Sequence, residues 1–493
     1  MIDTDALRSK IIDLAIMGKL TKRLPEDGIA EKLRVDAKKY KEELAKEGIL
    51  KNRKNKNIKE INDEECLFEL PSSWCWFRLG EVIEVFGRIG FRGYKKSDLV
   101  QKGQGAITMS PSNISKTGEV SFDSSTYISW DKYEESPEIM LEEGDVVLVK
   151  TGSTYGKCGI INELPEKATI NPQLAILKYI NCNRKYLYYV LQSSAAWTQY
   201  EGFVVGAATP TFSQENISNM MIPMPPMAEQ ERIVAKIDEV LAEIKIIDEL
   251  QSQYASNVDV LKSKIIDAGI RGQLTEQLPE DGTAEELYKA IQAEKAQLIK
   301  DKKIKKEKPL PEITADEIPF DVPDNWKWVR IGDVVKYSLG GGTPSKNISE
   351  YWKGGDIPWA SVKDFSAAEA GYLNDTIDHI TQDGLNNSAS NMVDENAIVI
   401  CMRMALGKAV RFLRPMAINQ DLRAIWLHDC VDQSYFMYMY STIKVEGRGT
   451  TVAGIRKDEL MSFLFPLPPL SEQKRIVAKI DEVFNALDER DCL

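Results

Sequence analysis

The stretch EQERIVAKIDEV at residues 229–240 returns as EQKRIVAKIDEV at residues 472–483, and the two differ only at Glu231 and Lys474. Longer stretches return in the same order. They are LRSKIIDLAIMGKLTKRLPEDGIAEKL (7–33) with LKSKIIDAGIRGQLTEQLPEDGTAEEL (261–287), PSSWCWFRLGEV (71–82) with PDNWKWVRIGDV (323–334), and MPPMAEQERIVAKIDEV (224–240) with LPPLSEQKRIVAKIDEV (467–483). The chain is therefore a tandem duplication whose intervening stretches have diverged.

Alternating steps of four and three between seam positions predict a long helix that begins in the first dodecapeptide. The positions are Ile233, Ile237, Val240, Ile244, Ile247, Gln251, Tyr254, Val258, Leu261, Ile265 and Ala268, of which only Gln251 is polar. This spacing is typical of a coiled coil, and the helix would be ~60 Å long at about 1.5 Å per residue. A helix buried in one large core is the alternative, but the charged residues between the seam positions favour the coiled coil.

The ends of the chain supply a second such helix in two pieces. Its seam positions are Ile476, Ile480, Val483 and Leu487 at the C-terminus and Leu7, Ile11 and Leu14 at the N-terminus. By the repeat offsets, Leu493 corresponds to position 250 and Met1 to position 255, so the repeat is circular. We expect the intact and split helices to pair antiparallel about a pseudo-twofold axis, the termini to meet, and circular permutants to fold.

The diverged stretches, at about 85–221 and 335–465, predict a globular domain in each half. Both contain short runs of Val and Ile followed by loops with glycine, a pattern typical of strands. The predicted fold is α+β, with two mixed α/β domains joined by a long antiparallel two-helix coiled coil. The predicted boundaries are 1–65 (N-terminal half of the split helix, and linker), 66–223 (first domain), 224–318 (central helical region), 319–466 (second domain) and 467–493 (C-terminal helix).

Composition is that of an ordinary globular protein. Of 493 residues, 43% are hydrophobic and 28% charged, and this length exceeds what one core usually supports. No run approaches the ~20 apolar residues of a membrane span, and the polar start MIDTDALRSK is unlike a secretion signal, so we expect a cytoplasmic protein. Seven cysteines without a CxxC pair fit a reducing compartment, and the isolated His379 and His428 argue against a metal site.

The circular duplication, the PLPPLSEQKRIVAKID and KIIDLAIMGKL helices and the WCWFRLG motif resemble the specificity subunit of type I restriction-modification systems over essentially the whole chain. The resemblance implies two target recognition domains, each of which binds one half of a split, asymmetric sequence in double-stranded DNA. It also implies two methyltransferase subunits that modify adenine at N6, and restriction (motor-nuclease) subunits joined through them. S-adenosylmethionine, ATP and magnesium are then expected only on those partners, with no cofactor on this chain.

The sequence lacks two catalytic motifs that an ATPase or an adenine methyltransferase would need. It has no GxxxxGK[ST] loop for ATP, and INPQL at 170–174 lacks the second proline and the aromatic of the adenine methyltransferase signature. We therefore expect a non-catalytic recognition subunit. The alternatives are a coiled-coil scaffold, which leaves the divergence of the domains without a purpose, and a stand-alone DNA-binding repressor, which leaves the repeated helices without a partner.

DNA contact needs cations for phosphates and forked or amide side chains for base edges. Candidate loops follow paired strand motifs: GDVVLVKTGSTYGKCGI (144–160) with ENAIVICMRMALGKAVRF (395–412), ATINPQLAIL (168–177) with MAINQDLRAIWL (416–427), and VFGRIGFRGYKK (85–96), which departs from SLGGGTPSK (338–346). The candidate contacts are Arg88, Arg92, Tyr94, Lys95, Lys96, Lys150, Ser153, Tyr155 and Lys157 in the first domain, and Thr343, Ser345, Lys346, Lys363, Arg403, Lys408 and Arg423 in the second. For each one, an ordinary solvated side chain is an equally good interpretation.

The repeated frame is expected to face a partner common to both halves. Candidate partner contacts are Arg232, Lys236, Arg475 and Lys479. The frame also holds Trp74, Trp76, Trp326 and Trp328, for which core packing or domain docking is favoured over base stacking. The basic linkers KNRKNKNIK (51–59) and KDKKIKKEK (300–308) are more typical of solvated faces than of a DNA site. A net charge of −12 predicts weak, salt-dependent DNA binding by the isolated chain.

Overall fold

The computed structural model describes residues 1–50, 58–88, 93–206, 209–306, 308–447 and 453–491. The chain divides into two compact units. The first unit is Ile2–Gln251, and the second is Met1 with Ser252–Leu493.

Helices and strands alternate irregularly within each unit. The helices are α1 Thr4–Ile16, α2 Glu31–Lys46, α3 Leu79–Val82, α4 Trp130–Glu134, α5 Arg184–Gln192, α6 Ser194–Phe203, α7 Gln214–Asn219, α8 Met227–Ile270, α9 Ala284–Lys300, α10 Ile331–Val334, α11 Gln382–Asn386, α12 Gln433–Thr442, α13 Lys457–Ser462 and α14 Leu470–Asp491. The strands are β1 Cys75–Arg78, β2 Glu84–Phe86, β3 Leu99–Val100, β4 Gly105–Met109, β5 Thr126–Ser129, β6 Val146–Val149, β7 Cys158–Ile160, β8 Ala168–Ile170, β9 Leu174–Lys178, β10 Met221–Met224, β11 Lys327–Arg330, β12 Val335–Gly340, β13 Ile357–Ala360, β14 Tyr372–Leu373, β15 His379–Ile380, β16 Asn391–Val393, β17 Ile398–Cys401, β18 Ala409–Phe412, β19 Met416–Ile418, β20 Leu422–Leu427 and β21 Leu464–Leu467. The α+β class is confirmed, and the predicted domain boundaries stay predictions.

Two sheets form the diverged part of the first unit, here called the first domain. Their strand orders are β2-β9-β6-β7 and β3-β5-β4-β8, and β4 and β8 are parallel. Successive side chains of a strand point to opposite sides, and both sides of strand β6 are buried. Val146 and Leu148 belong to the cluster that includes α1 and α8, whereas Val147 and Val149 belong to a separate cluster with Ile107 of β4.

The second domain repeats this plan with longer sheets. Its strand orders are β12-β20-β17-β18-β14 and β15-β13-β19-β16, and β13 and β19 are parallel. Strand β17 takes the place of β6, because Ile398 and Ile400 enter one cluster while Val399 and Cys401 enter another. Two-stranded ribbons, β1-β10 and β11-β21, close the two domains in the same register.

Helix α8, with 44 residues, confirms the predicted long helix. In the first unit, α1 runs antiparallel to it: Ile16 shares a buried cluster with Ile233, and at the other end Thr4 Oγ1 donates to Asp248 Oδ1 (2.5 Å). The polar seam residue Gln251 bonds the start of the chain, since Ile2 N donates to its Oε1 (2.6 Å) and its Nε2 donates to Ile2 O (3.2 Å).

In the second unit, α14 runs antiparallel to the C-terminal part of α8. A Cβ at Gly269 would lie 3.1 Å from Ile476 Cγ2, and Lys262 Nζ donates to Asp488 Oδ1 (2.5 Å). Antiparallel packing is thus present within each unit. The prediction that the termini meet involves residues 492 and 493, which lie outside the described part of the chain.

The duplicated dodecapeptide makes the same internal contacts in both units. Trp74 Nε1 donates to Glu229 Oε2 (2.8 Å) and Trp326 Nε1 to Glu472 Oε2 (2.9 Å); Asn183 N donates to Gln230 Oε1 (2.8 Å) and Asp432 N to Gln473 Oε1 (2.8 Å); Arg232 bonds both oxygens of Asp27 (2.8 and 2.5 Å), and Arg475 both oxygens of Asp281 (2.9 and 2.6 Å). The peptide therefore occurs twice because it docks one domain and one loop on a helix in each unit. Trp74, Trp76 and Trp326 are buried, and Trp328 packs against Phe320, which agrees with core packing or domain docking of these tryptophans.

Acid is expected to weaken the two arginine–aspartate pairs, Arg232–Asp27 and Arg475–Asp281. Hydrogen bonds from Arg232 and Arg475 hold the pKa of Asp27 and of Asp281 below its ordinary value, and both carboxylates are almost fully buried, at 3% and 4% side-chain exposure. A lowered folded-state pKa means that the stabilisation is complete above the unfolded-state pKa of about 3.9 and disappears as the pH falls through the folded-state value.

Denaturant unfolding above and below about pH 4 checks this expectation. Asp27→Asn should reduce the pH dependence of the first unit, whereas Glu26→Gln at the exposed neighbouring position should not. An identical pH profile for wild type and Asp27→Asn would contradict the assignment.

Candidate nucleic-acid interface

Strands β4, β6 and β8 of the first domain end at one edge. Asn171 N, just beyond β8, donates to Met109 O at the end of the parallel strand β4 (2.8 Å), and Lys150 N, just beyond β6, donates to Gln173 O (2.8 Å). The polar side chains that follow these strands are thereby brought together. We call this the first polar edge; it comprises residues 110–113, 150–157, 171–173 and 209–212.

The second domain has the same edge, built from β13, β17 and β19. Asn419 N donates to Ala360 O (3.0 Å) and Met402 N to Asp421 O (2.8 Å). We call this the second polar edge; it comprises residues 361–364, 402–408, 419–421 and 453–455.

Both edges share a buried asparagine that fixes a turn. Asn171 Oδ1 accepts a hydrogen bond from Gln173 N (2.9 Å), and Asn419 Oδ1 accepts one from Asp421 N (3.0 Å). This side-chain bond to the backbone two residues ahead is an Asx turn. It holds Gln173 and Asp421 at equivalent positions.

Both edges also share a Gly-Lys pair. Gly156 and Gly407 have left-handed backbones, with φ of 85° and 81°. Each is followed by a lysine whose carbonyl accepts a bond from the last residue of the preceding strand: Val149 N donates to Lys157 O (2.7 Å), and Cys401 N to Lys408 O (3.0 Å). A lysine therefore occupies the same place in the backbone at each edge, and DNA contact by Lys157 and Lys408 stays a prediction.

Four first-domain candidates lie in this edge but differ in availability. Ser153 is exposed, and Lys157 Nζ donates to Pro111 O (3.3 Å). Lys150 is half-buried, and this burial lowers the pKa of its ammonium group. The Tyr155 ring packs against Trp197 and Phe212, so it is a core contact more than a surface one.

Arg88 was predicted to contact DNA but is buried, with 5% exposure. Its Nε donates to Ile170 O (3.2 Å). In the second domain the equivalent carbonyl, Ile418 O, accepts from Gly342 N (3.1 Å), and a Cβ at Gly341 would lie 2.0 Å from that oxygen. The first domain thus departs from the Gly-Gly-Gly-Thr-Pro sequence because an arginine side chain replaces the backbone donor.

The remaining first-domain candidates lie away from the edge or outside the described residues. Tyr94 packs against Ala106, Ile128 and Tyr133, and the exposed Lys95 and Lys96 precede β3 at the opposite end of its sheet from β8. Arg92 lies outside the described residues, as do residues 51–57 of the first basic linker.

In the second domain the predicted residues surround the edge more closely. Lys363, Arg403 and Lys408 are exposed within it, and Thr343 Oγ1 donates to Gln420. Exposed Ser345 and Lys346 continue the same turn. Arg423 lies on β20, where Nη1 donates to Ser338 Oγ (3.3 Å).

The sequence prediction missed three polar side chains at the edges: Thr151, Gln173 and Asp421. Thr151 Oγ1 lies 2.7 Å from Thr211 Oγ1, and Arg403 Nη1 donates to Asp421 Oδ1 (3.5 Å). The paired motifs ATINPQL and MAINQDL contained the signal, since the asparagine is common to both and the residue two positions on is not.

The predicted partner contacts divide into two kinds. Arg232 and Arg475 form the internal pairs with aspartates described above. Lys236, which is half-buried, and Lys479, which is exposed, bond Glu239 and Glu482 on the same helix face (2.8 Å each). Contact with another subunit stays a prediction for these four residues.

The described ranges contain neither a metal-binding group of side chains nor a helix that could span a membrane. No group of three or more His, Cys, Asp and Glu side chains is placed to hold a metal ion there. No helix within the same ranges is long and apolar enough to cross a membrane.

Two domains of one plan, with equivalent polar edges that carry different side chains, define a protein with two distinct candidate recognition sites. The family described as type I restriction modification DNA specificity domain matches residues 71–253 and 323–491. The chain therefore belongs to this family.

Individual relatives agree with this assignment over nearly the whole length. The chain is 28% identical to the type I restriction enzyme EcoAI specificity subunit of Escherichia coli, covering 98% of this chain and 89% of that protein. It is 26% identical, with the same two coverages, to the EcoEI specificity subunit of Escherichia coli. A chain from a solved structure of a type I restriction-modification system superposes with a TM-score of 0.55 at 19% identity, covering 86% of this chain and 93% of that one, which shows the fold.

Proposed function

We propose that this chain selects the DNA target of a type I restriction-modification complex and directs methyltransferase and restriction subunits to it. One observation carries the proposal: the two polar edges share a backbone and a lysine but differ in the side chains beside them. Sites of one shape with different chemistry suit a target made of two dissimilar half-sites. The target is therefore asymmetric and interrupted.

The chemistry of the edges fits duplex DNA. Lysines neutralise phosphates, and hydroxyl, amide and guanidinium groups bond base edges. The net charge of −12 opposes a polyanion at longer range. The isolated chain should accordingly bind DNA weakly and with steep salt dependence, and its partners complete a positively charged clamp.

The chain itself is a non-catalytic recognition subunit. S-adenosylmethionine, ATP and magnesium belong to the methyltransferase and restriction subunits. Support comes from the absence of the ATP-loop and adenine methyltransferase motifs from its sequence.

The repeated frame provides one docking place for a methyltransferase in each unit. Helix α8 exposes Ile246 (55%) and Leu250 (58%) in the first unit, and Val260 (50%) and the predicted seam residue Leu261 (40%) in the second. The repeat does not match these positions, since Ile246 corresponds to Glu489 and Val260 to Ala6. Exposed apolar side chains on a helix are typical of a protein interface. Lys236 and Lys479, with equivalent surroundings, provide matching polar contacts.

Purification of the tagged chain from its source cell tests the proposal. Native mass spectrometry should show a complex with two methyltransferase copies per chain. This complex should transfer methyl groups from S-adenosylmethionine to adenine in duplex DNA. The chain alone should transfer none. One methyltransferase per chain, or a chain recovered without a methyltransferase, would contradict it.

A further inference from the structure

We propose that two pairs of positions determine which DNA bases are recognised. These are residues 151 and 173 in the first domain, and residues 403 and 421 in the second. In this scheme Arg403, which lies beside Asp421, selects a guanine. The inference deepens the proposed function and rests on it.

The equivalence of these positions follows from backbone hydrogen bonds. Lys150 N donates to Gln173 O, as Met402 N donates to Asp421 O, at 2.8 Å in both domains. One residue further on, Thr151 forms a bridge with Thr211, and Arg403 forms one with Gly454. Positions 151 and 403, and positions 173 and 421, therefore occupy the same places.

The next residue in each loop confirms the correspondence. Gly152 N donates to Pro210 O (2.9 Å), and Met404 N donates to Ala453 O (3.1 Å). Both backbones are left-handed, with φ of 106° at Gly152 and 66° at Met404. Glycine adopts this conformation freely, whereas methionine is strained in it, and Met404 is 70% exposed. The loop geometry is thus kept while its side chains change.

Residues common to the two edges suit the part of DNA that is common to every site. These are the Asx-turn asparagines, Asn171 and Asn419, and the lysines of the Gly-Lys pairs, Lys157 and Lys408. The asparagines fix the backbone of the protein. The lysines suit phosphates, which position a protein on the duplex without specifying sequence.

The residues that differ have the chemistry of base recognition. Arg403 has a 58% exposed side chain, and its guanidinium donates to Asp421 Oδ1 at 3.5 Å. A forked guanidinium matches O6 and N7 of guanine, and a carboxylate beside it restricts its orientation. In the first domain the same places hold the Thr151 hydroxyl and the exposed Gln173 amide, which matches N6 and N7 of adenine. The two half-sites should therefore differ at these positions.

The inference is tested in a strain that lacks this gene. Each variant gene is introduced into that strain, and the DNA motif that becomes methylated is determined. Arg403→Ala should relax one guanine position of one half-site and leave the other half-site unchanged. Gln173→Ala should relax one adenine position of the other half-site and leave the half-site recognised by the second domain unchanged. The control Lys408→Ala should lower methylation at every site without changing the motif. A motif unchanged by both Arg403→Ala and Gln173→Ala overturns the inference while the proposed function stands. If the wild-type gene restores no motif, both are overturned.

Binding by the purified complex covers the case in which Arg403→Ala abolishes methylation. Duplexes with each of the four base pairs at the guanine position serve as competitors. The wild-type complex should prefer guanine on the order of 10- to 100-fold, and Arg403→Lys, which keeps the charge but loses the fork, should lose most of that preference. Lys408→Ala should keep the preference and reduce the salt slope by about 1. Equal preference in wild type and Arg403→Lys overturns the inference.

Discussion

Trp74→Ala is expected to destabilise the first unit by about 3–5 kcal/mol, because it leaves a cavity in the core and removes a hydrogen bond from a buried carboxylate. Trp74 Nε1 donates to Glu229 Oε2 (2.8 Å), and Glu229 is fully buried. Burial raises the pKa of Glu229, and the Trp74 bond opposes that rise. Its other oxygen has no hydrogen-bond partner among the described residues. The Trp74 indole is therefore needed to satisfy the buried Glu229 carboxylate.

The second unit offers a matched comparison. Glu472 accepts from Trp326 Nε1 (2.9 Å) and also from Gln277 Nε2 (2.9 Å). Trp74→Phe, which keeps a ring but removes the N–H group, should cost about 1–3 kcal/mol. Trp326→Phe should cost less, because Gln277 still bonds the carboxylate.

Native-state hydrogen exchange measures the two units separately, which matters because a chain of several domains does not unfold in one step. Each substitution should reduce protection in its own unit. Equal losses for Trp74→Phe and Trp326→Phe, or a loss below about 1 kcal/mol for Trp74→Ala, would contradict the role assigned to the Trp74–Glu229 hydrogen bond.

Deleting residues 252–258, one heptad of α8, should change the spacer of the DNA target and keep both half-sites. The deletion shortens the helix by about 10 Å at about 1.5 Å per residue, or about 3 base pairs at about 3.4 Å each. The seam keeps its face because seven residues are two turns of a coiled coil. Gln251 and Lys262, which bond the start of the chain and α14, are both spared.

The motif methylated by a strain that carries the deletion gives the measurement. As a control, removal of residues 252–256 breaks the steps of four and three and should abolish methylation. An unchanged spacer in the heptad deletion would mean that α8 does not set the separation of the half-sites.

The frame was predictable because it is written twice. The repeated Trp-Glu, Gln-backbone and Arg-Asp contacts explain why the dodecapeptide survives duplication. An external partner on the same frame, which the sequence also suggested, stays a prediction. Arg88 shows the limit of such inference: nothing local reveals that a strand 82 residues away would bury its guanidinium. The edges likewise depend on parallel strands that are distant in sequence, which is why Gln173 and Asp421 were missed.

The most direct test is a genome-wide map of N6-methyladenine in the source cell, with and without this gene. The proposed function predicts that deletion removes one asymmetric motif with two dissimilar halves and a fixed gap, and that all other methylation stays. Loss of a palindromic or uninterrupted motif would contradict the account of two different polar edges, and an unchanged map would contradict the proposed function.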